Sequence, residues 1–254
     1  MKIVMIGSGN VATHLAVAFH RVGHQIVQVW SRDIEHAQRL AVRVGAMPLD
    51  DVGRLALTAD VYILAVSDDA LYQLPQQLHF PNAVVVHTSG SVAGDVLQQV
   101  SPHHGVLWSP QTFIRDVAMD YEALPFCVEG SDELALQTVT ALAQTVSTHI
   151  CKLSSNQRRW AHLSAVVVNN FGNALNAAAE RLMAKHGIPF DLLLPIIDAT
   201  ANKAHKGNLD KQQTGPAVRH DQKTIDAHRR LLESEPELLK LYDVMTNIIQ
   251  QCNS

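Results

Sequence analysis

An α/β fold is predicted, a doubly wound parallel sheet followed by an all-α C-terminal domain, and three features of the sequence predict it. Short β-branched runs alternate with helical patterns through the first half. The first of these runs leads straight into a glycine turn, Gly7-Ser8-Gly9-Asn10-Val11-Ala12. After Leu153 the alternation stops and helical periodicity takes over. The expected domains are residues 1–153, of the Rossmann type, and residues 154–254, entirely helical.

KIVMI opens the sheet, and the segment after the glycine turn carries Val11, Leu15, Phe19 and Val22 on one apolar helix face. QIVQVW, VYILAV, AVVVHT and GVLWS read as further strands, most of them followed by a turn and a helical stretch. PFCVEG, a helix from about Ser131 to Val146, and the strand-like THICKL extend the sheet. Ser154-Ser155-Asn156-Gln157 has the S-x-x-Q form of a capping box. The helix it starts, rich in small and apolar residues, runs to Lys185-His186, where Gly187 and Pro189 stop it. Two or three helices follow. The last opens with Ser234-Glu235-Pro236-Glu237, an S-x-x-E cap, and places Leu238, Leu241, Tyr242, Met245 and Ile249 on one face.

Composition sets limits on function. The chain has 254 residues, 47% hydrophobic and 17% charged, which suits one large globular domain or two modest ones. A formal net charge of -4 and the lack of any Lys/Arg block argue against nucleic acid as the main partner, because phosphate backbones need a basic face, and leave room for a local anion pocket. The apolar part of MKIVMIGSGN is too short for a signal-peptide core, and no run approaches the roughly 18 apolar residues of a membrane span. Cys127, Cys151 and Cys252 are scattered without CxxC spacing, so neither zinc nor a disulfide framework is expected. His103-His104 lacks a third ligand at metal spacing and reads as loop. A cytoplasmic protein without metal is the expectation.

The glycine turn carries the strongest chemical signal. Gly7 permits the tight turn, Gly9 lets backbone approach a pyrophosphate, and Ala12 allows helix and strand to pack closely; the helix start supplies amide donors and positive potential. Gly7, Ser8, Gly9, Asn10 and Val11 are therefore dinucleotide-binding candidates. The end of the second strand selects the cofactor. An acid there holds a ribose 2′-hydroxyl, whereas arginine accepts a 2′-phosphate. In Val29-Trp30-Ser31-Arg32-Asp33, Ser31 and Arg32 precede the acid, which favours NADP(H) and leaves Asp33 to cap the next helix. Ligands of such sheets bind outside the carboxyl ends of strands, so Val66, Ser67 and Thr88 are expected beside the ribose and nicotinamide. Asp68 or Asp69 reads as a helix cap.

Two histidines are candidates for proton transfer. His87 ends a strand and is either a proton donor or a satisfied structural group. His162, Asn169, Asn173 and Asn176 are spaced to share one face of the long helix, among Leu163, Val167, Phe171 and Leu175. A polar stripe in a mostly buried helix must be satisfied, either by a neighbouring helix or subunit or by substrate, with His162 as general acid or anion-binding group and Asn169 beside it.

The combination of MIGSGNVA, VWSRD, VHTSGS, WSPQTF, NQRRWAHLSAVVVNNF and QTGPAVRHD resembles the NADP oxidoreductase family with a Rossmann-like N-terminal domain and a helical C-terminal domain of unknown function. Its relatives include deazaflavin-dependent NADP oxidoreductases, pyrroline-5-carboxylate reductase and the 6-phosphogluconate dehydrogenase group. The resemblance spans nearly the whole chain and implies a helical domain that pairs with another subunit, hence a homodimer, and a cleft between domains. The catalytic lysine of the 6-phosphogluconate and 3-hydroxyacid dehydrogenases, one helical turn before an asparagine, is replaced by Ala165 or Val166, which argues against that mechanism. The late motif reads TGPxxRGD in the family; His220 stands here where the glycine would be, while Thr214, Gly215, Pro216, Arg219 and Asp221 match.

Gln111, Thr112, Thr214 and Arg219 are the substrate-side candidates. Gly215 supplies a turn and Pro216 suits the first position of a new helix. QTGPAVRHD is thus either an anion-binding arm or plain helix punctuation with Asp221 as a cap. The expected function is hydride transfer between NADP(H) and a small anionic imine or carbonyl. The alternatives are a non-catalytic NADP(H)-binding or sensing dimer, and a deazaflavin as hydride partner.

Overall fold

The computed structural model describes residues 1–252. Eight strands form one sheet: β1 (Lys2–Ile6), β2 (Gln25–Trp30), β3 (Met47–Leu49), β4 (Val61–Leu64), β5 (Val84–His87), β6 (His104–Trp108), β7 (Pro125–Gly130) and β8 (His149–Lys152), in the order β3-β2-β1-β4-β5-β6-β7-β8. All neighbours are parallel except β6 and β7. The order reverses between β1 and β4, which opens a crevice at their carboxyl ends. β3 lay outside the sequence expectation. It is three residues long, has no β-branched side chain, and tolerates Pro48 because it is an edge strand. His104, expected in a loop, begins β6.

Helices α1 (Asn10–Arg21), α2 (Ile34–Val44) and α4 (Glu133–Gln144) contribute to one core, with Ile3, Met5, Val29 and Val86 from the sheet. Alternate strand residues, Val4, Ile6, Tyr62, Leu64 and Val85, belong to a second core with α3 (Asp68–Gln73), where Tyr62 stacks on Phe80 at 3.8 Å. Val22 drops out of the predicted apolar face; it lies past the end of α1 and is exposed.

The capping box at Ser154 forms as predicted and starts α5 (Ser155–Ala165). Elements change character there, yet the compact unit continues to Val168, and the second unit is Asn169–Ser254. The physical reason is that α5 packs on the sheet: Ala161 lies against Val106, Trp108 and Cys127, and Arg158 is buried. The expected single long helix is broken by a π-helical segment, Val166–Phe171, before α6 (Gly172–Lys185). A π-turn winds more slowly than an α-turn, so regular spacing no longer places His162 and the asparagines on one face.

Within the second unit, α7 (Leu194–Ala204), α8 (Gln222–Leu231) and α9 (Pro236–Cys252) follow α6. His228 pairs with the Tyr242 hydroxyl at 2.9 Å and Arg229 with Asp243 at 2.8 Å, joining α8 to α9. The expected Ser234 cap is displaced. The Glu235 carbonyl accepts from Leu239 N–H, so Pro236 takes the first helical position and Ser234 lies outside the helix. The buried polar stripe expected on α6 is also corrected: Asn173 and Asn176 are exposed, as are Phe171 and Leu175. No helix among the described residues is long and apolar enough to cross a membrane.

Candidate functional site

The chain leaves β1 at Gly7 with φ +122°, and a Cβ there would stand 2.2 Å from the Ala65 carbonyl oxygen, so only glycine fits. Gly9 precedes α1, and nothing lies within 4 Å of where its side chain would be. Helix α1 begins with no side-chain cap and no acid in its first turn, which leaves its first amide donors and its positive end available to an anion. Beyond them opens a cleft of about 640 Å³. All ten predicted cofactor residues line it: Gly7, Ser8, Gly9, Asn10, Val11, Ser31, Arg32, Val66, Ser67 and Thr88.

The details fit a dinucleotide. Ser8 Oγ donates to Ser31 Oγ at 3.0 Å and so joins the glycine turn to the end of β2. Asp33 caps α2 by accepting from Glu35 N–H at 2.9 Å, which turns the acid to the helix and leaves Arg32 on the cleft wall. The Trp30 indole N–H, at the cleft edge, is buried without an acceptor. Trp30, His36, Gln73 and Gln77 also line the cleft and were missed in the sequence. The two glutamines lie at the end of α3 and in the turn that follows it, away from any strand end, so no local signal marked them.

The far wall is the segment after β5. His87 is fully buried; its Nε2–H donates to the Ala93 carbonyl at 3.2 Å and its Nδ1 accepts from Ser89 N–H at 3.1 Å. Burial foremost, then the positive charge of Arg158, pushes its pKa down to about 4. Both ring nitrogens are thus committed to backbone, which makes His87 part of the framework of the wall. Asp68 is not a cap; Ser67 stands at the cap position, and Asp68 accepts a hydrogen bond from the Ser91 hydroxyl.

Arg158, missed in the sequence although it lies in NQRRWAHL, holds this wall in place. Its side chain is 1% exposed, and one Nη donates to the carbonyls of Ser89, Gly90 and Val92 at 3.1, 3.1 and 2.8 Å. The other donates to Glu129 at 3.1 Å and Ser155 Oγ at 3.0 Å. His162, one turn further along α5, rests against Gly90: a Cβ at Gly90 would fall 2.5 Å from its ring. Its edge meets the Trp108 indole at a centroid distance of 5.9 Å. His162 is half-buried and touches Gly90, two positions along the chain from cleft-lining Thr88, but does not itself line the cleft.

The segment after β6 is strapped across the start of α1. Asn10 Nδ2 donates to the Phe113 carbonyl at 2.9 Å, and His14, buried in α1, donates from Nε2 to the Ile114 carbonyl at 2.8 Å while its Nδ1 meets the Tyr121 hydroxyl at 3.0 Å. Gln111 and Thr112 lie exposed on this strap, with Thr112 N–H donating to Gln111 Oε1 at 2.9 Å.

In the second unit Asn169 falls in the π-helical segment, and Thr214 and Arg219 are exposed in QTGPAVRHD. Gly215 has φ +112°, as a turn requires. Pro216 begins a closed turn rather than a helix: Asp221 N–H returns to the Pro216 carbonyl at 2.9 Å, and α8 starts only after Asp221. Asp221 caps α8 through Thr224 N–H at 3.1 Å. His220 adopts φ +51°, a left-handed conformation that explains why the resembled family has glycine there.

Comparison with known proteins divides the chain earlier than the compact units do. Residues 1–108 match a Rossmann-like domain and residues 124–249 a domain of unknown function, DUF2520. A solved structure from Bacteroides fragilis, described as a "putative NADP oxidoreductase", is 38% identical with a TM-score of 0.90, covering 98% of each chain. An imine reductase from Bacillus cereus shares the fold at 14% identity and a TM-score of 0.63, over 98% of this chain and 92% of that one. Glycerol-3-phosphate dehydrogenase [NAD(P)+] of Serratia proteamaculans is 31% identical over 168 residues, 57% of this chain and 45% of that protein, so the chain spans about half the length of that relative. On the two adjoining domain matches and a relative aligned over almost its full length, this chain belongs to the family in which a Rossmann-like domain is followed by a DUF2520 domain.

Proposed function

We propose that the protein is an NADP(H)-dependent oxidoreductase acting on a small, anionic imine or carbonyl substrate. The observation that carries this reading is the single cleft lined by the glycine turn, the uncapped start of α1, Ser31 with Arg32, and the ends of β4 and β5. The descriptions of the Bacteroides fragilis and Serratia proteamaculans relatives support it. Gly9, Asn10 and Val11 present backbone amides to a pyrophosphate, Ser31 and Arg32 take a 2′-phosphate, and Val66, Ser67 and Thr88 border the ribose and nicotinamide. The nicotinamide supplies hydride chemistry when bound.

His162 is the proton-holding group, since histidine is the side chain most often used for such transfer and its ring, unlike that of His87, is not tied to backbone on both nitrogens. Asn169 is its companion candidate, and Gln111, Thr112, Thr214 and Arg219 are the substrate contacts, Arg219 supplying the cation for an anionic group. The protein works as a homodimer through its C-terminal helices. Exposed Phe171, Leu175, Leu241 and Met245 around an apolar groove of about 730 Å³ support that assembly.

Titration of NADPH and NADH into wild type and Arg32→Ala tests the cofactor assignment. NADPH binds at least about tenfold tighter, ~1.4 kcal/mol, and the variant loses that preference. Failure of both nucleotides to bind folded protein removes the reading. Turnover of NADPH with a panel of imines and ketoacids then separates an enzyme from a dinucleotide sensor: silence across the panel despite tight binding selects the sensor.

A further inference from the structure

A second, smaller cavity of about 230 Å³ lies beside the glycine turn. Arg39 and Arg43 reach it from α2 and Arg115 from the strap after β6, while Ser8 and His36 line both this cavity and the larger cleft. Three guanidiniums on so small a space repel one another, and the acids at hand, Asp116, which also lines the cavity, and Glu35 on α2, are fewer than the cations and compensate weakly. Arg39 stands 3.8 Å from Glu35 and Arg43 3.7 Å from Asp116, both pairs on exposed side chains. Arg115 donates from Nη2 to the Ser8 carbonyl at 3.2 Å, but its Nε is shut off from solvent without an acceptor. Such a donor is expected to be paired.

Surplus fixed cation and an unanswered guanidinium N–H together match one ligand chemistry. A phosphate dianion offers several acceptor oxygens and pairs bidentately with guanidinium, which a chloride or a single carboxylate does less well. We propose that this cavity binds a phosphate group, held by Arg39, Arg43 and Arg115. The phosphate belongs either to a bound dinucleotide or to a separate phosphorylated ligand. The Arg115–Ser8 contact ties the occupant to the glycine turn in both cases. The site goes beyond the dinucleotide reading because it can be tested without any nucleotide.

The test is a calorimetric titration of inorganic phosphate into the full chain, as wild type, the double variant Arg39→Ala/Arg43→Ala, and Arg32→Ala. Saturable binding is expected in the wild type and in Arg32→Ala, and at least roughly tenfold weaker binding in the double variant. No binding to wild type, equal binding to the double variant, or loss confined to Arg32→Ala overturns the proposal, the last because it places the anion in the larger cleft. Should the double variant melt early, Arg43→Gln gives the same comparison with one exposed side chain changed. The source is read in a second arm. Competition between phosphate and NADPH, with loss of the preference for NADPH over NADH in the double variant, assigns the site to the dinucleotide's own phosphate. Undiminished phosphate binding to nucleotide-saturated protein assigns it to a separate ligand. A failure of either nucleotide to bind leaves the phosphate arm standing, so the two readings fail separately.

Discussion

The two compact units handle their apolar residues in opposite ways. Met1–Val168 covers both faces of its sheet, and strand residues such as Ile3, Val4, Ile63 and Leu64 are wholly buried. In Asn169–Ser254 the described residues of α6 and α7 bury no side chain fully, α8 buries only Ile225, and α9 only Thr246. A sheet coated with helices satisfies its own hydrophobic demand. Amphipathic helices without enough neighbours in their own unit keep apolar faces open.

Four predictions sharpen or break this contrast. The largest effect is expected from Arg158→Met. Removing the guanidinium strands the Glu129 carboxylate and three wall carbonyls, which costs about 3–5 kcal/mol and is read as a fall in denaturant midpoint. An unchanged midpoint would deny the first unit its buried anchor. Acid comes next. With a folded pKa of about 4 against the ordinary 6.5, His87 contributes fully above about pH 6.5, where it is neutral in both states. As pH falls from there toward 4 the unfolded chain takes up the proton first, and up to roughly 3 kcal/mol is lost. His87→Gln should flatten that part of the pH–stability profile, and a slope that persists would place its origin elsewhere.

Leu241→Asp tests the open face of the helical unit. Sedimentation should show self-association weakened about a hundredfold, ~2.7 kcal/mol, with NADPH affinity little changed. Monomeric wild type would end the contrast as drawn. The smallest effect is His220→Gly, which relieves a left-handed residue and should raise stability by about 0.5 kcal/mol in equilibrium denaturation. A loss instead would mean that the imidazole makes contacts worth more than the strain.

Much of the first unit was legible because its signals are local. Gly7 announces a positive φ, Asp33 and Ser154 announce caps, and the alternation of β-branched runs with helical patterns announces the doubly wound sheet, though not the order of its strands. Two of the misses share one cause, dependence on partners in another element. β3 exists because β2 pairs with it, and α5 joins the sheet unit because its side chains pack on β6 and β7. The π-helical segment has no signature in a 3.6-residue pattern, so the stripe from His162 to Asn176 looked regular when it was not.

Within the candidate site the same division holds. By itself the sequence determined the glycine turn, the cap at Asp33 that follows Ser31-Arg32 and the presence of an apolar helical domain, since backbone conformation, helix capping and amphipathic period are written in neighbouring residues. Only the tertiary structure decided that Arg158 anchors the wall, that His87 is locked to backbone while His162 rests on Gly90, and that three arginines meet beside Ser8. The His87 contacts are local, two and six residues away, and what the fold adds there is burial; the Arg158, His162 and Arg115 contacts cross roughly 70 to 107 residues of chain, and charge and desolvation act through space rather than along the sequence.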